Sequence, residues 1–170
     1  MIVISHESID KAIDFVMQQP ELNQERIDTL YSEQPELLGY IINFVQMAQE
    51  EGIAEVDAVY QYALVIWLAF KEQINLIPRV EFANIDQLEK RHLHLLEILN
   101  TQPETDEYEN ALSELNSNPQ EHLVDFLFNE LGESEEADEE DNKRQANNLM
   151  LTILVIMIKS LDHSVNSPSN

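Results

Sequence analysis

The sequence predicts an all-α fold, a compact bundle of about eight helices, and three observations carry that prediction. Apolar residues recur at spacings of three and four along most of the chain. Residues that start or stop helices, among them Pro35, Gly52, Pro103 and Gly132, stand between those stretches. Two stretches, around Trp67 and around Leu151, are apolar on every side of a helix, and a helix of that kind has to be covered all round by neighbours.

The elements follow in order. A first helix is predicted at about 5–18, with Ile9, Ala12, Ile13 and Val16 on one face, and it stops before Pro20. A short helix at about 23–32 carries Ile27, Leu30 and Tyr31. Pro35 then opens a third as a first-turn proline, whose missing N–H costs nothing there. This helix presents Leu37, Leu38, Ile41, Ile42, Val45 and Ala48, and Gly52 is its expected C-terminal cap. A fourth, at about 54–74, contains the run from Tyr62 to Phe70 and is expected at the centre. Residues 76–83, with Pro78, read as a connector.

The fifth helix is expected to start at Asn84, with Gln87 completing a capping box, and to run through Leu88, Leu95, Leu96 and Leu99 until Pro103. A short acidic helix at about 104–116 uses Leu112 and Leu115. Asn118, Pro119 and Glu121 supply a cap, a first-turn proline and a third-position acid for a seventh helix that ends at Gly132. Residues 133–142 are a run of like charges that repels itself and reads as an acidic loop. The second all-round apolar helix is predicted at about 143–162, followed by a frayed tail at 163–170.

This order repeats itself at a spacing of about 85 residues, the kind of self-similarity that marks a tandem duplication. Ile13, Val16 and the Gln19-Pro20-Glu21 punctuation match Leu96, Leu99 and Gln102-Pro103-Glu104. Ile27 and Leu30 match Leu112 and Leu115, and Leu38, Ile41 and Ile42 match Leu123, Phe126 and Leu127. The expectation is two four-helix units, about 5–76 and 84–162, packed into a single domain around two central apolar helices. Leu64, Ile66, Trp67, Phe70, Leu151, Leu154 and Ile158 are then expected to be buried.

Composition narrows the function classes. The chain has no cysteine, which removes disulfides and thiolate chemistry. Its three glycines are too few and too scattered for a phosphate-cradling loop. A formal charge of −24 repels nucleic-acid phosphate and anionic lipid, so direct nucleic-acid binding is not expected. The apolar run from Leu149 to Ile158 is roughly half the ~20 residues of a membrane span and reads as a buried helix. The first residues lack the basic region of a secretory signal, which makes the cytoplasm the expected compartment.

Candidate chemistry is sparse. Glu89 and His92, three apart on a helix, resemble half of a di-iron site, but His122 has Pro119 where a second glutamate is needed. Both side chains are therefore expected on a solvated face, with His94 on another side of the helix. Glu50, Glu51, Glu55, Glu107 and Glu109 lie in polar runs where nothing shifts them toward acid or base catalysis. No serine lies in a Gly-x-Ser-x-Gly context. Trp67 reads as core, and Tyr60 and Tyr62 could line a cleft between the two halves.

With a large negative charge and no catalytic motif, the expected function is a non-enzymatic protein-interaction or regulatory role. Its partner would be a basic or amphipathic protein, and the chain itself a monomer or homodimer. The alternative is a small-molecule- or metal-binding helical bundle, with catalysis open to it. No metal or cofactor is assigned, and an acidic mimic of nucleic acid is a third class compatible with the charge.

Overall fold

A computed structural model describes residues 1–132 and 141–167. Among these the chain is all-helical, with eight α-helices and no strand. They are α1 (His6–Gln18), α2 (Asn23–Glu33), α3 (Pro35–Glu50), α4 (Val59–Gln73), α5 (Phe82–Thr101), α6 (Asp106–Asn116), α7 (Glu121–Leu131) and α8 (Asp141–Asn166). A single 3-10 turn, Pro20–Leu22, joins α1 to α2. The expected acidic loop at 133–142 lies mostly outside the described residues, and its last two residues, Asp141 and Asn142, are helical.

One buried apolar cluster runs from Ile4 to Leu161 and draws on both halves of the chain. α4 lies in it with Leu64, Ile66, Trp67 and Phe70 buried, packing against α1, α2 and α8. α8 contributes Ile153, Leu154, Ile156, Met157 and Ile158. By length and composition α8 is apolar enough to cross a membrane, yet half of its apolar window is buried in this core. Leu151 departs from expectation, since it is half-buried: one flank of α8, with Leu149, Leu151 and Val155, is only partly covered.

Several boundaries differ from those read in the sequence, each for a local reason. α4 starts at Val59 because α3 ends in a closed cap: Gly52 takes φ 79, its N–H donates to Gln49 and that of Ile53 to Ala48. Ile53 and Val56 then plug the core from a turn rather than a helix. α5 starts at Phe82 behind Glu81, so Asn84 sits inside the first turn and caps nothing. α6 starts behind Thr105, whose hydroxyl accepts from the Tyr108 N–H at 3.1 Å.

Before α7, Asn118 Oδ1 accepts from the Gln120 N–H at 2.9 Å, which places Pro119 in the turn and not in the helix. The tail expected to fray is helical as far as Asn166. The amide of Asn166 donates to Ile2 O and to Asp162, and its oxygen accepts from the Ile2 N–H.

Two fully buried glutamines tie distant parts of the chain together. Gln34, just before α3, accepts from the Val80 N–H at 2.8 Å and donates to Pro78 O at 3.1 Å. Gln120, just before α7, accepts from the Ile4 N–H at 2.8 Å and donates to Ile2 O and Asp162, both at 2.8 Å. Each side-chain amide therefore reads an extended backbone as a neighbouring strand would, satisfying groups that have no helical partner. The segments held are those that lead into α5 and α1.

Candidate functional site

Among the described residues, α5 and α8 together border two of the cavities that the helix packing leaves. The first, about 330 Å³, lies between α3, α5 and α8. Phe44, Ile85 and Ile153 form part of its apolar lining, and Glu51, Asp86 and Glu89 contribute carboxylates. Met47 and Phe82, at 54% and 57% exposure, stand in this lining as large apolar side chains left in water. Tyr40 Oη donates a hydrogen bond to Glu89 across the cleft. Burial, reinforced by the Glu89 carboxylate, raises the Tyr40 pKa, so this phenol stays protonated and serves as a donor.

The second cavity, about 440 Å³ and open on one side to solvent, lies between α5, α6, α7 and α8, and leucines and valines dominate its lining. His92 and Asn118 also line it. His92 Nδ1 and Asn118 Nδ2 are buried without a hydrogen-bond partner among the described residues. Arg91 grips Glu114 with two hydrogen bonds, of 2.8 and 2.6 Å, and so ties α5 to α6 beside this cavity.

These positions correct one expectation and separate one pair. His92 is not on a solvated face, since it is only 8% exposed. Glu89 is half-buried and lines the other cavity, so the two residues do not share a site. No group of three metal-ligating side chains occurs among the described residues. His94 is exposed, on a different side of α5 from His92. His122 stacks on His6 with ring centroids 3.9 Å apart, joining α7 to α1.

Of the remaining candidates, Glu50, Glu55, Glu107 and Glu109 are solvent-exposed. Trp67 is buried as expected, with the Lys71 ammonium 5.7 Å from its ring centroid. Tyr62 lines a smaller groove of about 220 Å³ with Ile13 of α1 and Phe126 of α7. Tyr60 is half-buried, and burial raises its pKa, with Asp57 adding to the effect.

Burial lowers the His92 pKa from 6.5 to about 4, with the Lys159 charge on α8 as a smaller cause. The ring is therefore neutral at pH 7. Because the folded-state value lies below the unfolded one, the unfolded chain binds more protons between them, and stability falls as pH drops from 6.5 toward 4. After discounting for screening by nearby solvent, the expected contribution is about 1 to 2 kcal/mol. Urea titrations at pH 7 and pH 4 should show the parent chain losing that much more stability than His92→Phe. Equal losses would mean that His92 takes up its proton in the fold as readily as in the unfolded chain.

No protein-family model matches the chain, and no curated protein or solved structure matches it significantly.

Proposed function

We propose that the protein is a non-enzymatic interaction module that engages a basic, amphipathic protein segment in the cleft between α3, α5 and α8. The observation that carries this reading is the pairing of exposed Met47 and Phe82 with Glu51, Asp86 and Glu89 around one apolar cleft. An apolar stripe of the partner covers the two exposed side chains, and its lysines or arginines meet the rim carboxylates. The overall charge of −24 steers such a partner toward the protein and makes the association rate fall with salt. The same charge keeps the protein off nucleic acid and anionic membranes, and the reading places it in the cytoplasm as a monomer or homodimer. An enzymatic role has less support, since Glu50, Glu51, Glu55, Glu107 and Glu109 are solvent-exposed and lie in polar runs.

A designed cationic amphipathic helical peptide is a direct probe. Phe82→Ser removes apolar surface and no charge, and at 57% exposure the residue contributes little to the core. The expected result is a loss of peptide affinity of at least tenfold, about 1.4 kcal/mol, measured by fluorescence anisotropy. Unchanged affinity in Phe82→Ser would mean that the peptide binds by charge alone, and the cleft would lose its role.

We also infer that the fold arose by tandem duplication of a four-helix unit, about 5–76 and 84–162. The C-terminal caps of α1 and α5, Gln19 and Gln102, have near-equal dihedrals, φ −129, ψ 59 and φ −130, ψ 54. Gln34 and Gln120 hold the leading segment of the opposite unit by the same two kinds of hydrogen bond. Burial favours pairing Leu37, Ile41 and Val45 with Leu123, Leu127 and Leu131, one residue away from the pairing read in the sequence.

A further inference from the structure

We propose that the cavity between α5, α6, α7 and α8 is a binding site for a neutral, largely apolar small molecule carrying a hydroxyl or carbonyl oxygen, with Asn118 and His92 as its polar contacts. This site is separate from the cleft beside Phe82 and does not depend on the function proposed for that cleft.

The shape of the cavity sets the size of the guest. Leu96 and Leu99 of α5, Leu112 and Leu115 of α6, Val124 of α7 and Val155 of α8 surround it. Leu112, Leu115, Val124 and Val155 are only half-buried, so apolar surface is left partly uncovered along this cavity. Its volume of about 440 Å³ falls in the range of small-molecule sites. Scaled from benzene in a cavity of about 150 Å³, it accommodates roughly 15 to 20 non-hydrogen atoms.

Two orphaned polar atoms set the chemistry of the head group. Asn118 Oδ1 is committed to the Gln120 N–H, which fixes the orientation of the amide and leaves Nδ2 as the free donor. A ligand oxygen is the complementary acceptor. His92 Nδ1 is 92% buried by residue and has no partner among the described residues. A neutral imidazole donates from Nδ1 in one tautomer and accepts there in the other, so it serves a carbonyl or a hydroxyl alike. A buried polar atom without a partner costs free energy, and a ligand that supplies the partner recovers it. Asp125 lines the same cavity and the whole chain is strongly negative, which disfavours an anionic head.

The probe is Prodan, a neutral naphthyl ketone whose emission shifts to the blue when it leaves water, titrated into the full-length protein. The expected result is saturable binding of one equivalent. Asn118→Asp keeps an oxygen to accept from the Gln120 N–H and removes the free donor, and it should weaken binding at least tenfold. If that variant does not fold, Val155→Trp fills the cavity from a half-exposed position and should abolish the signal. Phe82→Ser, in the other cleft, should leave Prodan binding unchanged. In competition, 1-decanol should displace Prodan at far lower concentration than decane, and decanoate should be weaker than decanol at pH 7.5. Absence of saturable binding, or binding indifferent to both Asn118→Asp and Val155→Trp, would overturn the site. Displacement by decane as effective as by decanol would overturn the polar contacts, and stronger displacement by decanoate would overturn the neutral head group.

Discussion

Replacing Leu154 with alanine is expected to lower the unfolding free energy by about 2 to 5 kcal/mol, through the lost side chain and the cavity left behind. Leu154 is fully buried on α8, within the cluster that also holds the apolar residues of α4. For a chain of this size that loss corresponds to a fall in melting temperature of roughly 5 to 15 °C. Calorimetry together with light scattering separates two origins of the burial. A concentration-independent monomer strongly destabilised by the substitution indicates that the cover is internal. A neutral effect in a monomer would mean that Leu154 is not in the core.

Gln120→Ala is expected to cost a similar amount, about 2 to 5 kcal/mol, although it removes no large apolar group. It leaves the buried Ile4 N–H without its acceptor, at a cost of about 1 to 3 kcal/mol, and it removes one of the two amide donors to Ile2 O and to Asp162, which keep only Asn166. Gln34→Ala should behave alike, because it strands the Val80 N–H and Pro78 O. Gln18→Ala, on the exposed end of α1, is the control and should stay within about 0.5 kcal/mol of the parent. Denaturant titration of the three variants decides the matter. If Gln120→Ala matched Gln18→Ala, the amide clamp would carry no weight in the fold.

Helix number, order and the position of the apolar stretches were legible in the sequence because they depend on local spacing. The Ser5 start of α1, Pro35 and Gly52 are short-range signals of this kind. What was not legible depends on partners distant in the chain. Gln120 looks like any polar residue before a helix until Ile4, 116 positions away, is placed beside it. The same distance effect made the tail look frayed, since Asn166 is held by Ile2.

His92 is a different case, because a signal was present. It continues the stripe Ile85, Leu88, His92, Leu95, Leu99 at alternating spacings of three and four. Its polar neighbours Arg91 and His94 obscured that position. Phe82 was hidden for a further reason: the segment around it read as a connector, where it is in fact the first residue of α5.

The central structural claim is that the two halves share one core and clamp each other through Gln34 and Gln120. Leu76, at 84% exposure in the segment between α4 and α5, is a place where the chain can be cut after folding. A protease site inserted there should give a nicked protein that stays assembled, with unchanged circular dichroism and a cooperative melt. Separated in denaturant and returned singly to buffer, neither fragment should melt cooperatively, and mixing the two should restore the transition. A fragment that folds cooperatively by itself, with the same transition as in the nicked pair, would contradict the shared core.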